Sequence, residues 1–276
     1  CQAMTTSIIT ALLAALDSAP MTLSNAAASD NTLLARTAAA STAVPLAKVG
    51  TAGNDVLVGT DRADILYGQD GDDFISGGAG DDLISGGRGN DTIDGGAGID
   101  TAGYSGRRSH FSVAQDSGKT IVRDKVGLEG TDILIGVERL LFSDTSVALD
   151  LDGHAGMAVK VLGAVLGREA VHDKSLVGVS LGLFDAGLSS GAVATVLIEA
   201  TLGAAISDEA FVAKVYHNIT GVAPSDADLA YYVALLKSGV HTQASLVLLA
   251  AETEANKVNI DLVGLSHTGV EFTPGG

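Results

Sequence analysis

Between residues 50 and 103 the apolar positions recur every nine residues: Leu57, Leu66, Ile75, Ile84 and Ile93 keep the interval, and Ala102 closes it weakly. Each sits in the middle of a short β-type run, such as LIS or FIS, that follows a glycine-rich turn. A turn plus three residues of strand with one side chain inward matches neither the 3.6-residue period of a helix nor the simple alternation of an ordinary sheet. After Tyr104 the pattern changes. HFSVAQDSGKTIVRD alternates about a Ser-Gly turn and predicts a hairpin, and GTDILIGVERLLFSD predicts a further buried strand run. From about Gly153 apolar residues fall three and four apart in GMAVKVLGAVLG, SGAVATVLIEATLG, DEAFVAKVYHNITG, SDADLAYYVALLKSG and TQASLVLLAAETEANKV, which predicts helices. Ser225, with Asp228 three residues on, reads as an N-cap and Gly239 as a C-cap. KVLGAVLGREA from Lys160 and KVYHNITGVAP from Lys214 match at an offset of 54, a faint internal duplication. Residues 1–49 read as an Ala-rich segment, partly helical and then flexible. Its apolar start, TTSIITALLAALDSAP, has no basic residue before it, as a signal peptide would, and Cys1 leaves a lipid-anchored cysteine as an alternative.

Aligned on the nine-residue period, residues 50–103 form six units: GTAGNDVLV, GTDRADILY, GQDGDDFIS, GGAGDDLIS, GGRGNDTID and GGAGIDTAG. Gly holds the first place of every unit, and Asp55, Asp64, Asp73, Asp82, Asp91 and Asp100 hold the sixth. Glycines at places one, two and four permit the left-handed backbone that a tight turn needs. Two units then make one coil of a flattened solenoid, so Asp55, Asp73 and Asp91 line one edge and Asp64, Asp82 and Asp100 the other. Coils stack about 4.8 Å apart, which crowds like charges. A hard divalent cation between coils reverses that cost, since Ca²⁺ takes carboxylate and carbonyl oxygens together.

These units resemble the RTX (repeats-in-toxin, hemolysin-type) calcium-binding nonapeptide, G-G-x-G-x-D-x-U-x. The resemblance implies a right-handed parallel β-roll with about four Ca²⁺ ions between successive coils. Each ion would take the carbonyls of places two and four and the Asp of one unit. From the unit two further on it would take the carbonyls of places one and three and the Asp. One site is then Thr51, Gly53 and Asp55 with Gly68, Asp70 and Asp73. A second is Thr60, Arg62 and Asp64 with Gly77, Ala79 and Asp82, where Arg62 departs from the usual glycine. A third is Gln69, Gly71 and Asp73 with Gly86, Arg88 and Asp91. The fourth is Gly78, Gly80 and Asp82 with Gly95, Ala97 and Asp100. Asp73 and Asp82, each shared by two sites, should matter more than Asp55 or Asp100. Residues 104–151 resemble the β cap that follows such repeats, and TGVAPSDADLAYYVALLKSG resembles a small helical domain of bacterial S-layer and type I secreted proteins. The expected fold is α+β and multidomain: an N-terminal segment 1–49, a roll 50–103, a cap 104–151 and a helical interaction domain 152–276.

Charge agrees with this. The net charge is −17, and residues 50–103 carry eleven aspartates against two arginines, so about half of the charge lies in about a fifth of the chain. Such a surface repels nucleic acid. A lone cysteine excludes an internal disulfide, and the absence of a long apolar run argues against a membrane span. Catalytic motifs fare poorly. GVSLG at Gly178–Gly182 fits the nucleophile elbow, yet the duplication sets Ser180 inside a helix. SDN at Ser29–Asn31 lacks its β-lactamase companions, the six histidines show no zinc spacing, and neither a phosphate-binding loop nor an EF-hand is present. The pairs Asp72–Asp73 and Asp81–Asp82 read as ligand and neighbour rather than as a glycosidase dyad. The expectation is a non-enzymatic, secreted or cell-surface protein that folds when it meets extracellular calcium. Its further partner would be a surface polysaccharide, a protein or a second copy of itself. The alternative is the non-catalytic, calcium-binding and secretion region of a larger hydrolase or toxin.

Overall fold

A computed structural model of the chain describes residues 46–127 and 129–274. The expectations for Cys1, for the Ala-rich segment up to residue 45 and for Ser29–Asn31 lie outside them. The described residues divide into two compact units, one drawn from residues 46–149 with Ser266–Gly269, the other from Asp150–Leu265 with residues 270–274.

In the first unit the nine-residue period becomes a parallel β-solenoid. Its strands are β1 (Ala47–Val49), β2 (Val56–Val58), β3 (Ile65–Asp70), β4 (Phe74–Ala79), β5 (Leu83–Arg88), β6 (Thr92–Ala97) and β7 (Thr101–Gly103). Odd strands stack in one sheet and even strands in the other, each eighteen residues above its partner: Ile65 pairs with Leu83, and Phe74 with Thr92. The inward column is as the period predicts. Leu66, Ile75, Ile84, Ile93 and Ala102 are all buried, with Leu57 packed against them. Burying an aliphatic side chain contributes about 1.5–3 kcal/mol, and here each coil buries only two.

The predicted hairpin is β8 (Phe111–Asp116) and β9 (Lys119–Asp124), turning through Ser117 and Gly118 at positive φ. The next run does more than cover the last coil. Strand β10 (Thr131–Ile135) joins β6 in parallel, β11 (Arg139–Leu141) joins β7 in parallel, and β12 (Ser146–Ala148) pairs back on β11. Leu134 lies over Ile93 and Leu140 over Ala102, both buried, so the cap extends both sheets and the inward column by one step. Tyr104, Phe111 and Phe142 cluster at the end of this core with ring centroids 5.1–5.4 Å apart. The rings supply the apolar area that the thin column lacks.

The second unit is helical: α1 (His154–Leu166), α2 (Lys174–Asp185), α3 (Ser190–Leu202), α4 (Asp208–Thr220), α5 (Asp226–Lys237), α6 (Gln243–Ala251), α7 (Glu254–Asn259) and α8 (Leu262–Thr268), then β13 (Val270–Phe272). The apolar surface of α1 runs almost all round it, and it packs against α2, α4 and α6. The duplication is visible in the element order, since α4 starts 54 residues after α1. Ser225 caps α5 by accepting the Asp228 N–H at 3.1 Å, and Gly239 ends it at positive φ. The last predicted helix is broken, because Thr253 accepts the Asn256 N–H and starts α7. Asn218 donates to the Ala164 and Val165 carbonyls at 3.2 and 2.7 Å, which satisfies the open end of α1.

Candidate metal centre

Each place-six aspartate immediately precedes a strand, and its neighbours on the same edge lie one coil away. The contact between them is regular. The backbone N–H of Asp55 donates to Asp73 Oδ1, that of Asp73 to Asp91 Oδ1, that of Asp64 to Asp82 Oδ1 and that of Asp82 to Asp100 Oδ1, all at 2.7–2.9 Å. One oxygen of each carboxylate is therefore spent on the stack. The other is not. Asp73, Asp82, Asp91 and Asp100 are buried, and their Oδ2 atoms have no hydrogen-bond partner among the described residues. A buried, unpaired carboxylate oxygen is costly.

The glycines show where these oxygens point. A Cβ added at Gly68 would collide with Asp73 Oδ2 and with the Gly86 carbonyl, and one at Gly77 with Asp82 Oδ2 and the Gly95 carbonyl. Place one must be glycine there because the carboxylate oxygen of its own unit and a carbonyl oxygen from the next coil converge on it. Place-two and place-four glycines from Gly71 to Gly98 take positive φ, and their Cβ positions are blocked by place-two or place-four backbone one coil below, as Gly87 is by the Gln69 carbonyl and Gly96 by the Gly78 carbonyl. Gln69 adopts the same positive φ without being glycine.

Seven of the proposed carbonyl donors fall into two groups. The carbonyls of Gly68, Gly77, Gly86 and Gly95 face carboxylate oxygens or line the same edges. Those of Thr60, Arg88 and Ala97 already accept backbone N–H groups of Ala79, Gly71 and Gly80, which leaves each one lone pair. Among the described residues no three His, Cys, Asp or Glu side chains gather as a metal cluster. A cation between coils would be held by two carboxylates at most, with backbone carbonyls completing the shell, and hard oxygen donors of this kind suit Ca²⁺. The residues fit the ion.

Three features escape the sequence pattern. In the first two units Asp55 Oδ2 and Asp64 Oδ2 are already satisfied, each accepting the N–H and hydroxyl of the threonine at place two, Thr51 or Thr60, at 2.5 and 2.9 Å. The place-five residues form an outer ladder, in which Asn54 accepts from Asp72 N–H, Asp72 from Asn90 N–H and Asn90 from Thr131 N–H. Finally, both aspartate ladders run on into the cap. Asp91 N–H donates to Asp132 Oδ1 at 3.0 Å, and Asp100 N–H to Glu138 Oε2 at 2.9 Å. The phrase GLEGTDILI at Gly127–Ile135 carries the clue, with Gly130, Asp132 and Leu134 at places four, six and eight of a seventh unit.

Electrostatics follow burial. Desolvation pushes Asp82 and Asp91 up to about 6, and Asp100 and Asp132 up to about 7; neighbouring carboxylates add to it, and the backbone N–H bonds oppose it. The Tyr104 hydroxyl, buried beside Asp132, is raised as well.

Comparison with known proteins agrees with the repeat. Residues 49–84 and 69–102 match the RTX calcium-binding nonapeptide repeat (4 copies), and residues 190–259 match a domain of unknown function, DUF4214. No curated protein matches the chain. Among solved structures, the extracellular lipase LipA of Serratia marcescens is similar at 27% identity over 40% of this chain and 17% of its own, with a TM-score of 0.20. The AlgE6R3 subunit of the Azotobacter vinelandii mannuronan C5-epimerase is similar at 25% identity over 32% of this chain and 74% of its own, with a TM-score of 0.24. The chain carries RTX calcium-binding repeats folded as a β-roll, followed by a helical unit.

Proposed function

We propose that this chain is a secreted, non-enzymatic calcium-binding protein whose roll completes its fold only in extracellular calcium, and whose helical unit serves surface assembly or adhesion. The observation that carries it is the set of four buried Oδ2 atoms, on Asp73, Asp82, Asp91 and Asp100, without partners. Bound Ca²⁺ would supply positive charge and accept these oxygens as ligands. The chain's own residues do the rest. The glycines bend the turns so that carbonyls face the edge, the Oδ1 atoms fix the carboxylates on the stack, and the inward column holds the coils in register. Extracellular calcium modules bind at about 10⁻⁴–10⁻³ M, so metal affinity becomes folding free energy outside the cell and not within it. RTX-repeat proteins are typically secreted, and among the described residues no helix is long and apolar enough to cross a membrane.

The non-enzymatic reading is supported by Ser180. It lies in α2, fully buried, so the elbow-like GVSLG presents no accessible nucleophile. The test is a calcium titration of the chelator-treated protein followed by far-ultraviolet circular dichroism. Strand signal should rise through the millimolar range while helical signal changes little. Strand content indifferent to chelator and to calcium would overturn the reading.

A further inference from the structure

The six repeats end at Gly103, but the oxygen-lined edge they build does not. Asp100 is fully buried and its Oδ2 has no partner among the described residues. At Gly95 the space a Cβ would occupy is filled by the Gly136 carbonyl and Asp100 Oδ2, the same pairing of carbonyl and carboxylate found at Gly68 and Gly77. The Gly96 carbonyl lies 3.2 Å from the Cβ position of Gly136. Glu138 Oε2 accepts the Asp100 N–H, as Asp100 Oδ1 accepts the Asp82 N–H one coil below. Glu138 thus stands where a further repeat would place its aspartate. The turn leading to it is short: six positions separate Asp132 from Glu138, against nine between successive repeat aspartates.

We propose that the cap builds a cation site beyond the repeats, in which Asp100 and Glu138 give carboxylate oxygens and Gly96 and Gly136 give carbonyls to one hard divalent cation, Ca²⁺ in an extracellular setting. Four oxygens of this kind, two charged and two neutral, are what Ca²⁺ takes from its protein ligands, with water completing the shell. The two negative charges that the stack forces together are compensated there. Gly136 sits at positive φ, which makes the position intolerant of a side chain, and its carbonyl faces the edge at the Cβ position of Gly95. The site rests on the calcium reading of the roll, and it makes the last coil's stability depend on a residue outside the repeats.

The test counts ions. Native mass spectrometry of the folded chain in millimolar calcium would compare the unaltered protein with Glu138→Gln and with Glu129→Gln. The glutamine keeps an acceptor for the Asp100 N–H but removes the charge. Glu129 instead accepts from the Ser105 N–H and hydroxyl, and its charge acts on Asp132, which belongs to the other ladder from Asp100. The expected result is one ion fewer in Glu138→Gln and no loss in Glu129→Gln. An unchanged count in Glu138→Gln, with ions still bound, overturns this site and leaves the calcium roll standing. No bound ion in the unaltered protein overturns the roll reading as well. Should Glu138→Gln fail to fold, crystals of the unaltered protein in calcium decide. An anomalous peak between Asp100 and Glu138 supports the site, and peaks confined to the repeats refute it.

Discussion

At the scale of the residue, aspartates alike in sequence are not alike in structure. Asp55 is half-buried and already bonded to Thr51, whereas Asp82 and Asp100 are fully buried with one oxygen unpaired. Counting repeats would rank Asp100 with Asp55, since each belongs to one of the four expected sites. The cap changes that order, because Asp100 also faces Gly136 and Glu138. Asp100→Asn should therefore raise the calcium midpoint of folding as much as Asp82→Asn, by about tenfold or ~1.4 kcal/mol each, while Asp55→Asn shifts it much less. Dichroism titrations of the three variants measure this, and a mild Asp100→Asn would remove the cap's role. The glycines divide in the same way. Gly68→Ala would push a methyl into Asp73 Oδ2 and the Gly86 carbonyl and should abolish calcium-dependent folding. Gly53→Ala would meet nothing nearer than Thr51 Oγ1 at 4.0 Å and should melt within a few degrees of the unaltered protein.

At the scale of the element, the roll was the most legible part of the sequence, because its period is local: each turn, strand and inward Leu or Ile repeats within nine residues. The two-edge split of the aspartates also follows from counting. Asp132 and Glu138 were hidden because the chain makes an excursion through the β8–β9 hairpin first. The step from Asp91 to Asp132 is 41 residues, where every earlier step on that edge is 18, and the other ladder ends in Glu rather than Asp. The helix break at Thr253 was hidden for a different reason, since its apolar spacing continues across a cap made by one hydroxyl. The stacked carboxylates also set a pH response. Burial raises Asp82, Asp91, Asp100 and Asp132 to about 6–7 in the metal-free fold, above the unfolded value of about 3.9. Stability from such raised groups is fully present below the unfolded value and is lost as pH climbs through 6–7. In chelator the roll should therefore become more stable from pH 7.5 down to 5, the reverse of ordinary acid unfolding. In calcium the ligands must be ionised, so affinity should fall over the same interval. Thermal melts in chelator across this range settle the sign, and a melting temperature that drops on acidification would contradict it.

At the scale of the whole molecule, two units with different sources of stability share one chain. The roll unit depends on compensation of charge, and the helical unit on an apolar α1 wrapped by its neighbours. Differential scanning calorimetry should resolve two transitions, of which chelator lowers one and leaves the other within about 2 °C, a shift worth under about 1 kcal/mol for a unit of this size. A single transition moved as a whole by chelator would mean that the two units melt together. The cap has a practical consequence as well. The chain has no tryptophan, and Tyr104 is buried against Asp132 at the end of one carboxylate ladder. A lanthanide at the last rung would collect light from this phenol and one lower in the roll from Tyr67, beside Gly68, so the share of tyrosine-excited terbium emission that Tyr104→Phe removes would make the last rung its own lamp.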